Sequence, residues 1–264
     1  MIQHHPGARP FVDVEALALP SFALEDEHTA FKTDLHSHWR HQLLFASSGT
    51  LRLEVADKVW LLPPQRAAWL SAGTPHITSA GRAVSLRTIY LGPHIKGAPA
   101  VDACVFEVTP LAREMILYAM RWGPQHQPSD RLATDFFSLL VRLCAQWTTS
   151  PSPSHLPRAQ SPELARAMAF ALARLDHPLT LTDAARAAGL SPRTLTRRFS
   201  SELNSSWRDF IHRARMIKAM ELLAQPDIQV TQVAFAVGFE SLGAFSQAFK
   251  RHTGQPPSAY RRSL

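Results

Sequence analysis

The sequence predicts an α+β protein of two domains, a β-rich N-terminal domain with flanking helices followed by an all-α domain. Three observations carry this. Short apolar-alternating runs broken by Gly and Pro fill residues 31–108; the apolar spacing then changes to that of helices; and one short pattern occurs twice near the C-terminal end, after a Pro- and Ser-rich stretch.

In the first region, Leu51-Arg52-Leu53-Glu54-Val55 alternates as a half-buried strand should. Trp60-Leu61-Leu62, Ala67-Ala68-Trp69-Leu70 and Leu86–Leu91 are further strands. Turn signals at Ser48-Gly49, Pro63-Pro64, Ala72-Gly73 and Ala80-Gly81 separate them, which predicts a small barrel or sandwich. Thr109-Pro110 then opens a helix with Leu111, Met115, Tyr118 and Trp122 on one face. Ser129-Asp130 opens another with Leu132, Phe136, Leu139, Leu140 and Leu143. Their apolar faces either cover the sheet domain or form a dimer surface.

Ser150-Pro151-Ser152-Pro153-Ser154 marks the boundary. The predicted division is residues 1–149, an extended and poorly ordered linker at 150–160, and residues 161–264. Ser161-Pro162 caps the next helix, which continues through Leu164, Met168, Leu172 and Leu175 and stops at Pro178.

The repeat pairs Thr182–Leu190 with Thr231–Phe239. Each copy has a Thr read as a cap, an Ala four residues before a Gly, and an apolar residue after the Gly. The Ala lets a second helix cross closely and the Gly supplies a positive-φ turn, which together make a helix-turn-helix. The second helix of each pair opens at Ser191-Pro192 and at Ser241. Leu195 with Phe199, and Phe245 with Phe249, face inward. Arg193, Thr196, Arg197 and Arg198 project in the first copy. Leu242, Gly243, Ser246 and Gln247 project in the second, with Lys250 and Arg251 at its far end. A single helix from about Ser206 to Ala224, with Trp207, Phe210, Ile211, Ala214 and Ile217 buried, joins the two copies.

Charge agrees with this division. The chain carries 28 Lys+Arg against 21 Asp+Glu, and residues 160–264 hold 14 of the former against 8 of the latter. The excess of positive charge lies with the repeat and points to an anionic partner. Arg forks bidentately to guanine in the major groove, Gln pairs with adenine, and helix N-termini with their caps at Ser191 and Ser241 suit phosphate oxygens. Cys104 and Cys144 lack metal-ligand spacing and read as reduced core residues. Neither a secretory leader nor a membrane-spanning run is visible, so the expectation is a cytoplasmic protein without a membrane partner.

The repeat resembles the AraC/XylS family of transcription regulators. The resemblance covers residues 162–262 and rests on Ala185-x3-Gly189-Leu190-Ser191, Ala234-x3-Gly238-Phe239-Glu240-Ser241, Phe245-x3-Phe249-Lys250 and the closing Gly254-Gln255-Pro256-Pro257-Ser258-Ala259-Tyr260-Arg261. By position it implies base-reading at Arg193, Thr196 and Arg197, and at Leu242, Gly243, Ser246 and Gln247. Because Leu242 and Gly243 are not polar readers, the second copy is expected to anchor more than to discriminate. Double-stranded DNA, a small-molecule effector, RNA polymerase for an activator, and a second copy through the N-terminal domain are the implied partners.

His36-Ser37-His38, Gln42, Gly49 and Ser71-Ala72-Gly73-Thr74-Pro75-His76 are similar to the two motifs of the cupin barrel, with Gln42 where Glu is usual and Ser71 where Pro is usual. The N-terminal domain is therefore expected as a cupin-like β-barrel. His36 and His38 share one strand face by alternation, and His41 points away. With His76 and Gln42 they would hold a divalent zinc, nickel, iron or manganese ion, or else line an effector pocket as an apo site. Trp39, Trp60 and Trp69 are candidate pocket walls, and His4-His5 is read as incidental. The expectation is a regulator without catalytic residues; the alternative is a metal-dependent cupin enzyme fused to a DNA-binding module, against which Gln42 counts.

Overall fold

The computed structural model describes residues 14–152, 155–225 and 227–262. His4-His5 lies outside them. The chain divides into two compact units, residues 1–55 with 60–153, and residues 56–59 with 154–264. Among the described residues, no helix is long and apolar enough to cross a membrane.

In chain order, the first part holds β1 (Phe22–His28), β2 (Phe31–Lys32), β3 (His41–Ser48), β4 (Leu51–Val55), β5 (Lys58–Leu62), β6 (Arg66–Leu70), β7 (Ile77–Ala80), β8 (Val84–Leu91), β9 (Ala103–Glu107), α1 (Pro110–Ala119) and α2 (Arg131–Trp147). One antiparallel sheet runs β1-β8-β3-β6-β9; a second contains β5-β4-β7-β2. The central strand β3 is buried on both faces. Leu43 and Phe45 meet the helices, while Leu44 and Ala46 meet the apolar layer shared with Leu53 and Leu62 of the second sheet.

The predicted cupin-like barrel is thus corrected to two open sheets, since no closed barrel forms among the described residues. Loop backbone covers the free edges instead of strand closure. Ala23 N–H donates to Trp122 O at 2.8 Å beside β1, and Ser152 N–H donates to Val105 O at 2.7 Å beside β9.

Thr109 and Asp130 cap α1 and α2 by accepting from the N–H groups of Ala112 and Ala133. The faces differ from the expected ones. Ala112, Ile116, Ala119, Ala133, Phe137, Leu140, Val141 and Cys144 are buried. Leu111, Tyr118, Leu132 and Leu139 are exposed, although Trp122 and Leu140 are buried as expected. Both helices are apolar on more than one face, and the side with small Ala residues is the one that packs closely on the sheet.

The second part holds β10 (His155–Pro157), α3 (Pro162–Leu172), α4 (Leu181–Ala188), α5 (Pro192–Leu203), α6 (Trp207–Leu223), α7 (Val230–Ala236), α8 (Leu242–Thr253) and α9 (Pro257–Arg262). The stretch expected to be poorly ordered is hydrogen-bonded where described. Arg158 N–H donates to Asp57 O at 2.6 Å, and Gln160 N–H to Glu202 Oε2 at 3.2 Å. Ser161 stands at the N-cap of α3, but its hydroxyl donates to Glu202 Oε1 at 2.7 Å rather than capping.

Candidate functional site

The helix pairs α4–α5 and α7–α8 form where the repeat lies. Gly189 and Gly238 adopt φ of 70° and 75° at the two turns, which the absence of a Cβ makes cheap. Ala184, Ala185 and Ala188 of α4 are buried, as are Val233 and Ala234 of α7. The caps fall earlier than read. Thr180, not Thr182, accepts from Asp183 N–H at 3.1 Å, and Gln229, not Thr231, occupies the N-cap of α7, with its N–H donating to the Gln232 side chain at 2.8 Å. Thr182 and Thr231 lie within the first turns because a Thr two residues upstream, or a Gln pair, already meets the free amides.

On α5, Leu195 and Phe199 are fully buried, and Arg193, Thr196 and Arg197 are exposed. Among the described residues, no acidic side chain pairs with Arg193 or Arg197. Ser191 Oγ accepts from Thr194 N–H at 3.1 Å, and Thr196 Oγ1 donates to Pro192 O at 3.0 Å. Arg198 is a correction. Its guanidinium lies 3.1 Å from Glu163 and 3.4 Å from Glu202, so it clamps α3 to α5 instead of projecting as a free reader. Glu202 also accepts from Ser161 N–H, and these contacts hold its carboxyl below the usual range against a raising effect of burial.

On α8, Phe245 and Phe249 are fully buried, with Phe249 also against the Tyr260 ring at 5.3 Å. Leu242, Gly243, Gln247 and Lys250 are exposed and Ser246 is half-buried. Ser241 Oγ accepts from Ala244 N–H at 3.2 Å. Between the pairs, α6 spans 17 residues, about 25 Å at the helical rise. Its basic side chains are partly engaged: Arg213 donates to His155 O at 3.3 Å, Arg215 to His177 O at 3.2 Å, and Lys218 to Glu221 at 2.9 Å.

In the first unit His36, His38 and His76 come together, each offering a ring nitrogen, with those atoms all within 4.8 Å of one another. The route differs from the one expected, since residues 36–38 are not a strand. His36 instead forms an isolated bridge to His76, and His38 follows in irregular chain. His36 Nδ1 lies 2.8 Å from Asp34 O and His76 Nδ1 lies 2.9 Å from Thr74 O. A carbonyl only accepts, so each Nδ1 carries the proton and each Nε2 presents a lone pair. His76 is 2% exposed, and its Nε2 has no hydrogen-bond partner. Burial, and after it the neighbouring His36 charge, lowers His38 to about 4. Burial foremost does the same for His76.

Gln42 sits on β3. Its amide nitrogen donates to Tyr90 Oη at 3.2 Å, and its Oε1 is buried without a partner. The Tyr90 ring stands 5.4 Å from that of His38. His41 faces elsewhere, stacked on Trp69 at 5.2 Å and accepting from Ala72 N–H at Nδ1. Glu15 was missed in the sequence. Its Oε1 lies 3.4 Å from His38 Nδ1 and accepts from Trp39 N–H. No periodicity or motif marks that residue, so only the fold reveals it.

Two family models match the chain, a helix-turn-helix domain over residues 184–263 and an AraC-like ligand-binding domain over residues 19–102. The HTH-type transcriptional regulator NimR of Escherichia coli is 29% identical over 251 residues, covering 93% of this chain and 87% of its own length. The chain is an AraC-type DNA-binding transcriptional regulator with a ligand-binding domain. GlxA of Rhizobium meliloti, another HTH-type regulator, is 39% identical over 88 residues, 33% of this chain and 27% of its own length. The solved C-terminal domain of AraT, a response regulator from Geobacillus stearothermophilus, is 33% identical, covering 39% of this chain and 87% of that one, with a TM-score of 0.38. The two family models and the NimR match favour regulation over the enzymatic alternative.

Proposed function

We propose that α4–α5 and α7–α8 are two helix-turn-helix units that enter successive major grooves. The first unit reads bases through Arg193, Thr196 and Arg197. The second anchors through Ser241, Leu242, Gly243, Ser246, Gln247 and Lys250. The observation that carries this reading is the contrast on α5: Arg193 and Arg197 are exposed with no acidic partner among the described residues, whereas Arg198 on the same helix is held by two carboxylates. Free guanidinium forks are what guanine edges and phosphates require.

The ligand-binding domain responds through the imidazole cluster. Its chemistry fits a divalent metal such as zinc, nickel, iron or manganese, because three imidazoles converge and His76 Nε2 is a buried lone pair with no protein partner. Held there, the ion would bind His36, His38 and His76 to one another. Glu15 would orient His38, and Gln42 Oε1 is the remaining unpaired oxygen nearby. The exposed stripe of Leu111, Tyr118, Leu132 and Leu139 supplies a surface for a second copy. RNA polymerase is a further partner if regulation is activation.

Footprinting of the full chain on genomic DNA would supply the operator, and fluorescence anisotropy would then compare operator with random duplex, with and without chelator. The reading expects tight operator binding that falls steeply with salt and shifts on chelation. Equal affinity for operator and random DNA would defeat the base-reading assignment; indifference to chelator would defeat the metal assignment.

A further inference from the structure

The first unit contains a cavity apart from the imidazole cluster. It occupies about 340 Å³, near the lower end for small-molecule sites. Trp39, Pro93 and His94 form part of its wall, and the start of α2 contributes Thr134, Phe137 and the N-cap Asp130. We propose that this cavity binds an uncharged aromatic molecule carrying a hydrogen-bond donor, such as a phenol or an indole.

Trp39 makes the stacking platform. The Arg40 guanidinium lies 4.0 Å from its ring centroid, yet the side chain remains 45% exposed. Arg40 is itself only 1% exposed and donates to the carbonyls of Val14, Leu17, Leu19 and Pro20. An immobile cation therefore positions the indole, so stacking costs little ordering.

The polar groups set the ligand's charge. Asp130 is the acid in the wall, and both its oxygens are taken, Oδ1 by Ala133 N–H at 3.1 Å and Oδ2 by Trp122 Nε1–H at 2.9 Å. Lys and Arg are absent from the described lining, whose basic groups are the imidazoles of His94 and His126, so a carboxylate or phosphate would lose its water beside the Asp130 carboxylate without meeting a permanent countercharge. His126 also lines the cavity, and its Nδ1–H is committed to Gly123 O at 2.8 Å. Its Nε2 is then an acceptor, which selects a ligand with a donor. The regulatory use of this pocket rests on the unit's ligand-binding role; the pocket's occupancy does not depend on the imidazole cluster.

Fluorine NMR of the full chain tests this with 4-fluorophenol and 4-fluorobenzoate at neutral pH, both before and after chelator. The phenol should bind at least tenfold more tightly than the benzoate, unchanged by chelator. Trp39→Ala, and Thr134→Trp at an exposed helix position that fills the cavity, should each weaken it at least tenfold while thermal melting shows the fold retained. Equal binding of the two probes, no binding of the phenol at millimolar concentration, or Thr134→Trp binding as tightly as the parent would each overturn the proposal. A chelator effect on phenol affinity would overturn the independence of the two sites.

Discussion

His36 and His76 are tied together twice through the backbone, His36 N–H to His76 O at 3.1 Å and His76 N–H to His36 O at 2.8 Å, with their ring centroids 4.3 Å apart. The bridge fixes the main chain under both imidazoles before any ligand arrives. Cobalt(II) titration of the chain should therefore show one equivalent bound with a ligand-field absorption band. His76→Ala should abolish the band, and Glu15→Gln should weaken affinity by roughly 10–100-fold, the usual effect of losing a group that orients a histidine ligand. If the parent binds no cobalt, nickel or zinc above background, the cluster is an apo pocket.

Protonation gives a second expectation, for metal-free protein. The unfolded chain takes up protons at these imidazoles near pH 6.5, whereas folded His38 and His76 hold off until about 4. Burial lowers His41 as well. Within that window the unfolded state binds more protons, so falling pH favours unfolding. The N-terminal transition in a thermal melt should move to lower temperature as pH drops from about 6.5 toward 4. A midpoint unchanged over that range would show that these histidines titrate normally.

Arg197→Ala and Arg198→Ala should separate reading from clamping. The first should weaken operator binding by roughly 1–3 kcal/mol and relax preference at one base pair. The second should leave the operator-to-random ratio alone and cost about 0.2–1 kcal/mol of stability, because its partners are partly solvated. Anisotropy on matched and mismatched duplexes, with chemical denaturation alongside, checks both. Equal loss on all sequences for Arg197→Ala would make that residue a phosphate contact.

The two turn glycines should differ in tolerance. A Cβ at Gly189 meets nothing within 4 Å, so Gly189→Ala carries only the cost of its positive φ, about 1 kcal/mol. At Gly238 a Cβ would stand 2.4 Å from Leu175 O and 2.5 Å from the Arg215 guanidinium. Gly238→Ala should therefore cost clearly more, at or above the roughly 1–3 kcal/mol of backbone strain alone. Equal unfolding midpoints for the two variants would contradict this crowding.

Local patterns read well and long-range pairings did not. Leu51–Val55 alternates because one face meets the core, and it is β4. Strand β3 escaped notice because both its faces are buried, which erases alternation. Leu111, Tyr118, Leu132 and Leu139 of α1 and α2 read as inward because they are large and partly apolar, while the small Ala residues are what permit close packing; Trp122 and Leu140 are buried as read. The histidine cluster was legible from its motif, but not its geometry: His36 meets His76 through a bridge rather than sharing a strand face with His38. Arg198 looked free because Glu163 lies on another helix, and no sequence spacing announces that pairing.

The crowding at Gly238 has a consequence for the target rather than for the protein. Leu175 O and His177 O come from the chain leading into the first helix pair, yet one abuts the turn of the second pair and the other accepts from Arg215. Leu175 is nearly buried there. The two pairs are thus braced across their gap as well as strung along α6, which leaves little play in their mutual rotation. On the proposed reading of two DNA-binding units, a molecule so braced measures phase. Lengthening the operator's centre by five base pairs should place one half-site on the wrong side of the duplex and forfeit it, and adding a full ten should not rescue binding, because the caliper cannot open.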